Sequence, residues 1–208
     1  MTTIVWDGKT LASDSQCTNG NLIALSDFKK IYTPDPEKEY WEANGKRIVA
    51  FALAGDAKAV DYIKHELHQG ITFRTQVEVE DDLRFMAILI TEDHLAYDWT
   101  VDTNKEKRNT WSELIPHSGP IAKGSGGRFA LAIVSIGKDA KTAVKATTKL
   151  DVYSGGSIQE FTPEPPPAAP SVRPEHLKPK KEDTKAKDDE KKEDEKKDSK
   201  KEKPSKAA

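Results

Sequence analysis

Cysteine occurs once, at Cys17, so no internal disulfide framework is available and the multi-cysteine zinc motifs are excluded. Nowhere do 18 apolar residues run together, and the start has no basic segment followed by an apolar stretch. Neither a membrane span nor a secretory leader is therefore expected. An excess of one charge is missing as well: 33 Lys and Arg stand against 35 Asp and Glu, a net charge of −2. That balance argues against specific nucleic-acid binding and against a membrane surface as partner. No internal repeat is visible. The glycine-rich GSGG at 124–127 runs on into Arg128-Phe129-Ala130 without the lysine and hydroxyl residue of a phosphate loop, so the chain carries no ATP site of its own. These absences leave a soluble, cytoplasmic protein with neither metal nor cofactor as the expectation.

Charged residues, at 33%, nearly match the hydrophobic 36%, which fits one ordinary globular domain with a polar addition. The addition begins after Phe161, where TPEPPPAAPSVRPEHLKPKKEDTK and the residues beyond it offer almost nothing to a core. From Arg173 onward 14 Lys and Arg mix with 11 Asp and Glu. Interspersed signs at low hydrophobicity predict a disordered spacing or solubilising tail behind a Pro-rich linker. The expected division is a domain over 1–162 and a linker with tail over 163–208.

Within the domain the pattern alternates between strands and helices. TTIVW, TLASDSQ, LIALSDFKKIYTP and KRIVAFALA read as four antiparallel strands, with Asp7-Gly8 and Asn44-Gly45 as type I′ turn signals. DAKAVDYIKHELHQG then places Ala57, Val60, Ile63 and Leu67 at helical spacing, and Gly70 is set to close that helix. RFMAILIT, HLAYDWT and RNTWSELIP return to strand. GGRFALAIVSIG and KDAKTAVKATTKLD predict two helices, the second capped by Asp139. A last strand, read as a hairpin, covers 152–161, while 70–82 is too polar to assign. Antiparallel sheets flanked by amphipathic helices define an α+β class, two sheets face to face with helices outside.

Six separated stretches, TTIVWDG, LASDS, SDFKKIY, FALAGDAKAVDYI, AKGSGGRFALA and KLDVYSGGSI, stand in one order along 2–161. In these the sequence resembles the proteasome β subunits and the HslV-type bacterial peptidase, threonine-type members of the N-terminal-nucleophile hydrolases. The resemblance implies a four-layer αββα sandwich and hydrolysis of peptide or unfolded protein. It also implies assembly into a homo-oligomer, with ring size left open, and service by an ATP-dependent unfoldase. Family members carry a pair of helices after the fourth strand; here the second helix of that layer reads as shortened or missing.

The chemistry turns on Thr2. A threonine hydroxyl must hand its proton to a base as it attacks. An α-amine, with an unperturbed pKa of about 7.7–8.0, suits that task when it sits on the same residue. Removal of Met1 is the expected activation step, and Thr3 is read as strand only. By resemblance, Asp14 and Lys30 stand beside the nucleophile. The ammonium favours a neutral amine and stabilises negative charge on oxygen, and the carboxylate orients the lysine. Gly55, at a strand-to-helix step, matches the residue whose N–H receives the oxyanion. Ser125, Asp151 and Ser154 match the polar residues around the amine. Thr18 matches a residue pairing with extended peptide, and Cys17 and Leu53 match positions lining the pocket for the residue before the scissile bond. Two other readings stay open: a non-catalytic proteasome-like scaffold that binds a proteolytic complex, and a small-molecule amidase using the same nucleophile.

Overall fold

Asn44 and Gly45 turn the chain with φ of 51° and 73°, the left-handed pair that a type I′ hairpin needs. β6 (Trp41–Ala43) thereby folds back on β7 (Lys46–Gly55), pairing Ala43 with Lys46 and Trp41 with Ile48. Asp7-Gly8 makes a different turn. Only Gly8 has positive φ, 98°, and the Asp7 carboxylate accepts the N–H of Lys9 and of Thr10, each at 2.8 Å. The computed structural model describes residues 2–74, 83–104, 109–169 and 171–179.

The expected four N-terminal strands do not make one sheet. β1 (Thr3–Trp6) and β2 (Leu11–Asp14) lie at the centre of a four-stranded antiparallel sheet in the order β11-β1-β2-β12, where β11 is Ile121–Gly124 and β12 is Ile158–Phe161. β7 belongs to a second antiparallel sheet with β5 (Ile31–Tyr32), β6, β8 (Arg84–Thr91), β9 (Ala96–Asn104) and β10 (Asn109–His117). LIALSDFKKIYTP breaks in two. Its first half, β4 (Leu22–Leu25), pairs among the described residues only with β3 (Cys17–Asn19) and is exposed at all four residues; its second half enters the larger sheet as β5. The segment at 152–161 supplies the single strand β12, not a hairpin, and joins the edge of β2 with Ile158 opposite Asp14.

Among the described residues three α-helices complete an α+β architecture: α1 (Ala59–Gln69), α2 (Gly127–Ser135) and α3 (Ala140–Thr147). α1 buries Ala59, Ile63 and Leu67 and ends at Gly70, φ 89°. Ala57, expected on its apolar face, lies before the helix and is exposed. Asp139 caps α3 as its sequence position implies, its side chain accepting Thr142 N–H at 2.7 Å. The expected loss of a second helix after α1 falls partly on 75–82, outside the described residues. Among the described residues no helix is long and apolar enough to cross a membrane.

Side-chain alternation along the strands sorts the core. On β7, Phe51 and Leu53 pack with Ile63 and Leu67 of α1, while Ala50, Ala52 and Ala54 share a cluster with Ile4, Trp6 and Leu11 of the smaller sheet. Val5 faces the other way, into Ala130, Val134, Ala143 and Val144 of α2 and α3. Burying each large side chain in this way contributes about 1.5–3 kcal/mol, and it holds β1 from both faces.

One compact unit runs from Met1 to Lys178, past the expected domain limit at 162. Pro163 and Leu177 are buried and Arg173 is half-buried, so the stretch 163–178 is anchored at points, while 164–169 are exposed. Arg173 donates to His68 O at 2.7 Å and stacks 5.0 Å from the Tyr40 ring centre, and Leu177 is buried. Ser171 N–H donates to Glu92 Oε1 at 2.8 Å, and Tyr40 Oη donates to Ser171 O at 3.0 Å. Prolines leave few backbone donors to satisfy, so this segment docks through side chains, carbonyls and the Ser171 N–H instead of joining a sheet. The charged tail over 180–208 lies outside the described residues.

Candidate active site

Asp14 ends β2 fully buried, and four donors converge on its carboxylate. Lys30 Nζ and the Thr3 N–H reach Oδ1 at 2.8 Å each; the N–H groups of Gly155 and Gln16 reach Oδ2 at 2.9 and 3.2 Å. A buried carboxylate is tolerated only when its lone pairs are taken up in this way. Lys30, 2% exposed, also donates to Gln16 O at 2.6 Å. Burial pulls its pKa below the usual lysine value, and the Asp14 charge and hydrogen bond offset only part of that. Lys29, one residue earlier, is exposed and rests its ammonium 5.2 Å from the Tyr32 ring centre. Adjacent lysines thus differ because Lys30 alone turns towards Asp14.

A second set of polar groups lies beyond α3. Asp151, largely buried, accepts Ser125 Oγ–H at 2.6 Å and Ser154 Oγ–H at 2.7 Å, both on Oδ2, and the Tyr153 N–H on Oδ1 at 3.2 Å. Burial pushes its pKa up; the hydrogen bonds from Ser125, Ser154 and Tyr153 together outweigh this and hold the carboxyl below its ordinary value. Ser125 Oγ lies 3.4 Å from Thr2 O. The two sets therefore meet at the start of β1, one through the Thr3 N–H and the other through the Thr2 carbonyl.

β11 can approach Thr2 this closely because residue 124 is glycine. Gly124 has φ 90°, and a Cβ there would stand 1.9 Å from Thr2 O. The same Cβ would lie 3.4 Å from Ala54 Cβ, which places the end of β7, and so Gly55, alongside. Gly55 is exposed, with φ 123°, and a Cβ on it would come within 2.5 Å of Arg84 O. It ends a strand; it does not start a helix. Asp56, Ala57 and Lys58 intervene before α1, so any oxyanion donation by its N–H comes from strand-end geometry without a helix N-terminus behind it.

The chain thus brings Thr2, Asp14, Lys30, Gly55, Ser125, Asp151 and Ser154 to one corner. Cys17 and Thr18 stand nearby on β3, half-buried, with a register shift between them. Leu53 is set in the apolar cluster against α1, and its N–H donates to Lys30 O at 3.0 Å. One residue of the corner was not singled out from sequence. Thr3 is wholly buried, and its Oγ1 lies 2.7 Å from Ser154 Oγ. A threonine in a β-branched run reads as strand, and no local signal distinguishes it.

No protein-family model matches this chain, and neither does any curated protein. Among solved structures it is similar to Thiobacillus denitrificans BPH, at a TM-score of 0.42 and 18% identity over 79% of this chain and 98% of that one. It is similar too to Thiobacillus denitrificans BPH in complex with epoxomicin, at 0.41 and 17% over 79% and 99%. At that level of likeness the chemistry has to be drawn from the residues themselves.

A cavity of about 570 Å³ opens elsewhere, between Thr33–Pro34, Arg47, Phe161 and the docked prolines 163 and 165. Its volume falls in the usual range for ligand sites. None of the candidate residues belongs to its lining, and the polar groups there are engaged with one another, Ser171 N–H on Glu92 Oε1 at 2.8 Å and Arg47 on Ser171 Oγ at 3.4 Å. The Thr2 corner is the better candidate for chemistry on that ground.

Proposed function

We propose that this protein is a threonine-type peptidase whose nucleophile is Thr2, N-terminal once Met1 is removed. The observation that carries the reading is the buried Lys30–Asp14 pair. Asp14 Oδ1 is shared between Lys30 Nζ and the Thr3 N–H, both at 2.8 Å, so the ammonium is held beside the residue that follows the nucleophile. In the proposed reaction Thr2 Oγ attacks the peptide carbonyl carbon and its proton passes to the Thr2 α-amine. The desolvated Lys30 ammonium disfavours prior protonation of that amine and stabilises the oxygen charge. The Gly55 N–H receives the oxyanion. Collapse breaks the C–N bond, the amine gives its proton to the departing nitrogen, and an ester to Thr2 remains. Water, deprotonated by the same amine, hydrolyses the ester and restores the free hydroxyl.

The same proposal includes an extended peptide held at Thr18 and Gly55, and a pocket bounded by Cys17 and Leu53. The three apolar clusters are taken as the seams of a four-layer sandwich. A homo-oligomer, a cytoplasmic setting and an ATP-driven unfoldase as partner belong to it too. Intact mass spectrometry tests its core. The expected outcome is a chain lacking Met1 that gains one adduct, mapped to Thr2, from a covalent inhibitor directed at N-terminal threonines; Thr2→Ala should take up none. Retention of Met1 in the native host would defeat the proposal, and a native mass from the same sample reports the oligomer.

A further inference from the structure

Thr3 holds a place in the hydroxyl network that its strand position does not require. Ser154 commits its one proton to Asp151 Oδ2, 2.7 Å away, and a carboxylate only accepts. The 2.7 Å contact between Thr3 Oγ1 and Ser154 Oγ must then be donated by Thr3. The direction of the whole chain of bonds follows: Thr3 to Ser154 to Asp151, with Ser125 donating to Asp151 from the other side at 2.6 Å. Every hydroxyl proton points inward, which leaves oxygen lone pairs on Ser125 and Ser154 for N–H groups at Thr2. Thr3 is clamped at two points, its N–H on Asp14 at 2.8 Å and its side chain on Ser154. The room for that hydroxyl depends on glycine as well, since a Cβ on Gly126 would lie 2.1 Å from Thr3 Oγ1.

We infer that Thr3 is a positioning residue, whose hydroxyl sets the direction of the Ser154–Asp151–Ser125 network so that it accepts the N–H groups of the Thr2 α-amine. The inference rests on the reading of Thr2 as nucleophile. Asp14 from β2, Lys30 ahead of β5, Cys17 from β3 and Asp151 after α3 are the titratable groups of this corner. Without Thr3 donating to it, the Ser154 proton can turn away from Asp151. The less compensated carboxylate then favours the protonated amine, the unproductive form.

Thr3→Val and Thr3→Ser, each confirmed to lack Met1, provide the test. Hydrolysis of a fluorogenic peptide amide and the rate of adduct formation at Thr2 are followed across pH, with melting curves as a folding control. Thr3→Val is expected to lower kcat roughly tenfold with KM changed less than about twofold, and to move the acid limb of the pH profile to higher pH. Thr3→Ser is expected to restore both. A Thr3→Val enzyme with wild-type kcat and pH profile overturns the inference, as does a Thr3→Ser enzyme no better than Thr3→Val. If Thr3→Val does not fold, Thr3→Cys, with a weaker donor of similar size, must shift the acid limb in the same direction or the inference fails. A wild-type chain that takes no adduct at Thr2 overturns the peptidase reading and this inference together; a labelled wild type with an indifferent Thr3→Val overturns this one alone.

Discussion

Lys30 shows how burial changes an ordinary side chain. Its ammonium is out of water, with Asp14 Oδ1 and Gln16 O as its acceptors. Lys30→Met removes the cation and strands a buried carboxylate, a loss that typically costs about 3–5 kcal/mol. The expected outcome is a clear fall in Tm together with loss of adduct formation at Thr2. The pH dependence has a definite sign. Because the folded pKa of Lys30 lies below its ordinary 10.5, the unfolded chain binds that proton more tightly. The burdened ammonium therefore weakens the fold below the folded pKa, and stability recovers as pH rises from the folded pKa towards 10.5. Wild type minus Lys30→Met, measured by denaturant melts on the alkaline side, should show this recovery. A difference that stays flat there would contradict the assignment. Lys30 and Asp14 were both legible as candidates in the sequence. What was not legible is that Thr3 joins them, because a hydroxyl reads alike whether it meets water or a buried serine.

At the scale of elements, the close approach of β11 to β1 is what assembles the site. Thr3 pairs with Gly124 in the antiparallel register, and Ser125 follows immediately, carried to Asp151. Gly124→Ala would force a Cβ within 1.9 Å of Thr2 O at a φ of 90°, so β11 must shift or the pair must open. A displacement of about 1 Å at a reacting group can cost on the order of 100-fold in rate. The Gly124→Ala variant is accordingly expected to lose activity by about that factor, more than its change in Tm accounts for; equal activity would show that this contact does not place the nucleophile. Elements marked by local chemistry were readable in advance: the Asn44-Gly45 turn, the Ile63 and Leu67 face of α1, the Asp139 cap. The break between β4 and β5 was not. Leu22–Leu25 is apolar at all four positions and so suits a strand, yet among the described residues its only strand partner is β3, and sheet membership is a long-range choice that periodicity does not encode.

For the molecule as a whole, the docked segment after β12 is the main departure from expectation. Arg173 sits on the Tyr40 ring and on the His68 carbonyl in the last turn of α1, where positive charge is favoured, and Leu177 is buried. Its apolar burial and its cation–π contact together contribute about 3 kcal/mol. A chain ending at Thr162 should therefore melt on the order of 10 °C below one ending at Lys178. Equal melting temperatures would mean that the segment only decorates the surface. Composition pointed to a linker because proline, alanine and charge dominate 163–178. A few well-placed side chains suffice to dock such a segment, and composition averages them away.

The sequence by itself determined the α+β class, the Asn44-Gly45 turn, the Ile63 and Leu67 face of α1, the Asp139 cap and the absence of a disulfide framework. Each of these follows from local pattern or from a side chain's own chemistry. Only the tertiary structure decided that β1 and β7 belong to different sheets and that Arg173 and Leu177 dock back onto the domain. It alone showed that Gly55 ends a strand clear of any helix, and that Thr3 closes a hydroxyl network with Ser154 and Asp151. These depend on contacts between residues far apart in the chain, and the pairing energy that selects them is set by shape and burial in the folded state.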